Sequence, residues 1–68
     1  MSYLSNKLLT LRKEQNLTLQ ALHLKTGISL ASLSAYERGH YAPSIENFCK
    51  LAVFYKVTLD ELIGRLGI

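Results

Sequence analysis

What this chain lacks narrows its function first. A single cysteine, Cys49, rules out a disulfide framework. No stretch is long and apolar enough to span a bilayer. The opening residues, Met1-Ser2-Tyr3-Leu4-Ser5-Asn6-Lys7, have neither the basic start nor the apolar run of a signal peptide. No polybasic tract exists: the cations Lys7, Arg12, Lys13, Lys25, Arg38, Lys50, Lys56 and Arg65 are spread along the chain, which argues against binding by charge alone. Repeats and low-complexity stretches are missing too. His23, His40 and Cys49 do not stand at metal-ligand spacing, and neither a carboxylate pair nor a Ser/His/Asp arrangement looks catalytic. The expectation is a cytoplasmic protein that is not an enzyme and needs no metal or cofactor.

What is present points to a small folded unit. At 68 residues the chain is expected to form one domain, 1–68, around one core. Its 49% hydrophobic and 19% charged residues favour folding over disorder. That apolar content exceeds what so small a core can hide, which suggests a partner surface. The net charge of +3 permits contact with nucleic acid without proving it.

The hydrophobic period is helical almost throughout. Leu4, Leu8 and Leu11 recur at i, i+4, i+7 up to Asn16. Thr18 caps a second segment whose main core residue is Leu22, and Gly27 ends it as a left-handed stop. Ser29 caps a third segment with Leu33 and Tyr36 on one face, ended by Gly39. His40-Tyr41-Ala42-Pro43 reads as a loop, because Pro43 disfavours helix at the residue before it. Ser44 caps a fourth segment with Ile45, Phe48, Leu51, Ala52 and Tyr55 as its stripe, and Cys49 reads as a small core residue beside it. Thr58-Leu59-Asp60-Glu61 is a capping box, opening a fifth segment with Leu59, Leu62, Ile63 and Leu66 inward. No segment alternates with period two. The expected fold is all-α: five helices at about 4–15, 19–26, 30–38, 45–55 and 59–66.

Two short helices joined by a tight glycine turn are the sequence form of a helix-turn-helix unit. The string Leu11-Arg12-Lys13-Glu14, Leu17-Thr18, Leu22, Lys25-Thr26-Gly27-Ile28-Ser29, Leu33-Ser34, Tyr36-Glu37-Arg38-Gly39, Pro43-Ser44, Leu51-Ala52 and Val57-Thr58-Leu59-Asp60-Glu61-Leu62 resembles the phage-repressor type of helix-turn-helix domain, the Xre or Cro/CI-like family. The resemblance covers about Leu8 to Ile63. It implies a compact lambda-repressor-like five-helix fold, usually dimeric, in a bacterial or phage transcriptional regulator.

At about 100° per residue, Leu33, Tyr36 and Glu37 share one side of the third helix. Ala31, Ser34, Ala35 and Arg38 then face away, with Leu30 at the edge. The resemblance implies that Leu30, Ala31, Ser34 and Ala35 reach base edges in the major groove. These side chains are unusual readers, because hydrogen-bonded readout favours Arg, Lys, Asn or Gln. Thymine-methyl contacts, Ser34 and DNA shape are left to discriminate. Phosphates are better served: by the N–H groups around Thr18, Leu19 and Gln20, by Arg38, His40 and Tyr41 after the third helix, and by Ser44. Relatives often carry Gln where Leu19 stands, and Gln20 is placed to compensate.

Arg12 and Glu37 both fall on core-facing sides, so they are expected to pair, since a lone buried charge costs several kcal/mol. His23 stands where relatives usually have Ala, at the close approach of helices two and three. Phe54 points roughly opposite Ile45. With Leu66 and Ile68 it is expected to form a dimer interface, so that two third helices meet a palindromic operator on double-stranded DNA. A second reading stays open: a protein-interaction module that keeps the scaffold and turns its apolar third helix toward another protein.

Overall fold

The computed structural model describes residues 3–64. Over them run five helices, α1 (Tyr3–Glu14), α2 (Leu19–Thr26), α3 (Leu30–Arg38), α4 (Ile45–Tyr55) and α5 (Leu59–Ile63), with no strand among the described residues. Each start after the first is fixed by a side chain that satisfies an orphan amide. Thr18 Oγ1 accepts from the Ala21 amide at 3.0 Å, Ser29 Oγ from Ser32 at 3.1 Å and Ser44 Oγ from Asn47 at 3.2 Å. At α5 the capping box closes both ways: Thr58 Oγ1 accepts from the Glu61 amide at 3.1 Å, and Glu61 Oε1 accepts from the Thr58 amide at 3.0 Å.

The ends are left-handed turns. Gly27 and Gly39 sit at φ 76° and 77°, where a Cβ is disfavoured, but Asn16 and Lys56 take the same role at φ 57° and 58°. Behind α3 the turn is a Schellman motif: the His40 amide donates to the Ala35 carbonyl at 3.0 Å and the Gly39 amide to the Tyr36 carbonyl at 3.2 Å.

The core is Leu8, Leu22, Ile28, Leu33, Tyr36, Leu51, Ala52, Tyr55 and Leu62, with Leu4, Leu11, Phe48 and Phe54 packed partly against it. Helix α1 lies on α3 and α5, α2 on α3 and α4, and α4 on α5. This arrangement leaves one side of α3 and the start of α2 uncovered.

Three expectations about the core are corrected. Ile45 is 74% exposed and Cys49 is exposed. The buried arc of α4 centres on Leu51, Ala52 and Tyr55, whereas Ile45, Cys49 and the 78% exposed Val53 follow each other at i, i+4, i+8 as a separate outward ridge. Helix α5 ends at Ile63, not at residue 66, because Gly64 turns left-handed at φ 82° and its amide closes onto the Asp60 carbonyl. In α5 only Leu62 is buried, while Leu59 and Ile63 stay about two-fifths exposed. Leu66 lies outside the described residues.

Candidate nucleic-acid interface

The uncovered side begins with an ion pair that sets the helices around it. Arg12 Nε donates to both carboxylate oxygens of Glu37, at 2.8 and 3.1 Å, and Arg12 Nη2 donates to Oε1 at 2.9 Å. Arg12 Nη1 donates to the Leu17 carbonyl at 2.8 Å, on the turn leading into α2. Both side chains are largely removed from water, with 14% and 8% exposure. The hydrogen bonds to Glu37 hold the guanidinium above its ordinary, already high pKa, against the opposite push of burial. The pair joins α1 to α3, as its core-facing positions required, and it leaves neither charge for a ligand.

In front of this pair lies a groove of about 350 Å³ lined by Leu9, Leu19, Ser34, Glu37 and Arg38. Three residues expected to meet DNA, Leu19, Ser34 and Arg38, therefore line one concave surface. The cap of Thr18 occupies the Ala21 amide, and the Leu22 amide donates to the Thr18 carbonyl at 3.0 Å. The amides of Leu19 and Gln20 are left as the orphan donors of the first turn, aimed out of the helix end. The start of α2, where Leu19 lines the groove, and the exposed Arg38 are both groups that attract an anion. Along the outer face of α3, Leu30 is 41% exposed, Ala31 is exposed and Ser34 half-buried.

The angle between α2 and α3 is held by the turn itself. The Thr26 hydroxyl donates to the Leu22 carbonyl at 2.8 Å and accepts from the Ile28 amide at 3.2 Å. His23 Nδ1 lies 2.6 Å from the Ile28 carbonyl. A carbonyl can only accept, so Nδ1 carries the proton. Ile28 itself is buried and pins the turn to the core. The family profile described as helix-turn-helix matches residues 8–62.

The chain belongs to the helix-turn-helix family. It is 38% identical over 60 residues to the HTH-type transcriptional regulator AnsR of Bacillus subtilis, covering 88% of this chain and 52% of that protein. It is 37% identical over 62 residues to the cryptic phage CTXphi transcriptional repressor RstR of Vibrio cholerae, covering 91% of this chain and 55% of that protein. A third relative, an HTH-type transcriptional regulator of Methanocaldococcus jannaschii, is 36% identical over 59 residues, 87% of this chain and 89% of that protein. The chain thus spans about half the length of the first two relatives.

Within this helix-turn-helix domain several expected site residues move. Ala35 is buried at 9% exposure and does not face outward. A helical wheel phases a residue against its own helix only and takes no account of what the rest of the fold packs beside it. His40 and Tyr41 are exposed on that returning loop, where the Tyr41 ring meets the Tyr36 ring edge-on at 5.8 Å. Ser44 caps α4 as expected, but the same turn carries Glu46, so an anion there would meet a carboxylate. Phe54 is half-buried and packs partly against the core, its ring centroid 5.1 Å from that of Tyr55 in an edge-to-face arrangement. Ile68, like Leu66, lies outside the described residues.

Leu9 is the groove residue that sequence reasoning missed. It falls one step, about 100°, off the Leu4-Leu8-Leu11 stripe. A leucine off the stripe was the available signal. Its partner on α2 comes only from the packing.

Proposed function

We propose that this helix-turn-helix chain binds double-stranded DNA sequence-specifically and acts as a transcriptional repressor in the cytoplasm, at the nucleoid. The observation that carries this reading is the groove that brings Leu19, at the start of α2, together with Ser34 and Arg38 of α3. Helix α3 enters the major groove through Leu30, Ala31 and Ser34. The Leu19–Gln20 amides, Arg38 and the His40–Tyr41 loop hold the phosphates on either side. Repression is favoured by the likeness to RstR, whose name gives it that role. Among the described residues no helix is long and apolar enough to cross a membrane.

So small a reading surface favours two copies on a palindromic operator. The apolar cleft lined by Ile45, Phe48, Leu59 and Ile63, with a volume of about 150 Å³, is the surface we assign to the second copy. Glu46, Asp60 and Glu61 lie in the same first turns of α4 and α5, so this side repels a phosphate backbone and suits protein better than DNA. A two-fold pair would set its α3 helices about 34 Å apart, one turn of the duplex.

The test is selection of bound sequences from a random duplex pool, followed by anisotropy titration of the enriched site at rising salt. A steep loss of affinity with salt and a two-fold consensus are expected. A salt-independent interaction, or no enrichment, would overturn the proposal in favour of the protein-interaction module.

A further inference from the structure

At the opposite end of α2 from the phosphate groove lies another depression, between α2 and α4. It is lined by Lys25, Thr26, Cys49, Lys50, Val53 and Phe54 and has a volume of about 440 Å³, within the range of about 300–1,000 Å³ typical of ligand clefts. Its apolar lining is the half-buried ring of Phe54 together with Cys49 and the 78% exposed Val53 from the outward ridge of α4. Its two walls each carry an ammonium group. Lys50 pairs with Glu46 at 3.5 Å across one turn, both side chains exposed to solvent and the pair correspondingly weak. Lys25 has no carboxylate within ion-pair distance among the described residues.

We infer that this groove docks an acidic amphipathic helix of a partner protein. Apolar side chains of that helix at i and i+4 would lie on Phe54 and Val53, while its flanking carboxylates would meet Lys25 and Lys50. The chemistry selects this occupant over others. A phosphate backbone has no use for the apolar floor, and the groove is too open to enclose a small molecule. An amphipathic helix needs just such an elongated floor with charge along its edges. Because the groove and the phosphate site are at opposite ends of α2, both can be filled at once.

The probe is a synthetic peptide of about 16 residues with Leu at i and i+4 and Glu at the flanking positions, titrated into isotope-labelled protein. A control peptide carries Lys for each Glu. The amide signals of residues 25–26 and 49–54 are expected to move with the acidic peptide and not with the basic one. Alkylation of Cys49 by iodoacetamide, a neutral reagent, is expected to slow as the groove fills. The K25E/K50E double variant reverses two exposed charges. With an unchanged melting profile it is expected to bind the acidic peptide about tenfold more weakly and to gain affinity for the basic one. A protein–peptide complex that still binds the enriched DNA site would bear out the separation of the two sites.

Three results would overturn the inference: no signal movement at millimolar peptide, equal binding of both peptides, or movement centred on residues 29–41. Concentration-dependent protection of Cys49 without any peptide would assign the groove to a second copy of the chain instead. The V53E variant gives an independent check, since it places a carboxylate on the floor without touching the core and should abolish peptide binding.

Discussion

Arg12 reaches Glu37 with two of its nitrogens and the Leu17 carbonyl with the third, so a single side chain ties α1, the α1–α2 turn and α3 together. Removing either partner strands the other charge in a mostly dry site. Denaturant unfolding of Arg12→Met and of Glu37→Gln is expected to show losses of about 3–5 kcal/mol. Arg12→Lys is expected to recover only part, because an ammonium cannot match the planar fork. Losses below about 0.5 kcal/mol in both would place the pair among ordinary surface contacts.

Tyr55 gives a prediction of opposite sign. Its hydroxyl is buried with no hydrogen-bond partner. Burial pushes the phenol up to about 12, and the nearby Glu37 carboxylate adds to the shift. Tyr55→Phe removes an unsatisfied group, and it is expected to raise stability by about 1 kcal/mol. The pH dependence follows from the raised value. The folded phenol holds its proton more tightly than the unfolded one, whose pKa is about 10. Its contribution is therefore complete below about pH 10 and is lost as pH rises through about 12. Alkaline unfolding of the Phe variant should accordingly be less steep over that window.

Two helix stops are expected to show one preference for glycine through opposite exchanges. Lys56 holds φ 58°, so Lys56→Gly relieves left-handed strain and should add up to about 1 kcal/mol. Gly27 holds φ 76° with open space where a Cβ would stand, so Gly27→Ala should cost about 1–2 kcal/mol from backbone strain alone. Thermal melts of the two variants decide it.

On DNA, Arg38→Ala is expected to weaken binding similarly for all sequences and to reduce the salt slope by about one unit, the mark of a phosphate contact. Ala31→Glu should abolish binding by setting a carboxylate against the electronegative groove. Ala35→Glu tests burial instead: it should unfold the domain, which circular dichroism separates from a binding defect.

Self-association is expected to depend on Ile45 and Ile63. Ile45→Lys should shift sedimentation toward monomer with the melt unchanged, because Ile45 is 74% exposed. Phe54→Lys should lower the melting temperature, since its ring packs on the core.

The caps, the stops at Gly27 and Gly39 and the Arg12–Glu37 pair were legible in the sequence because each depends on neighbours a few residues away or on a charge that must not be left alone. Thr18, Ser29, Ser44 and Thr58 all cap where their spacing placed them. What misled was helical phase taken without its surroundings. Ile45 and Cys49 keep step with each other but not with Leu51 and Tyr55. Ala35 sits opposite Leu33 on the wheel and is buried all the same. Leu9 lines the groove only because α1 happens to pass the start of α2.

The turn around Gly27 is wired before any duplex arrives. Thr26 closes it with two hydrogen bonds and His23 with another onto Ile28. The ordering cost of setting α3 against α2 is thus met once, when the chain folds, and is not charged again at each encounter. A reader built this way has little play in its own frame. If the proposed DNA contacts hold, an operator whose grooves do not match the spacing of Leu19, Ser34 and Arg38 would have to adjust itself, which gives the advantage to sequences that bend easily.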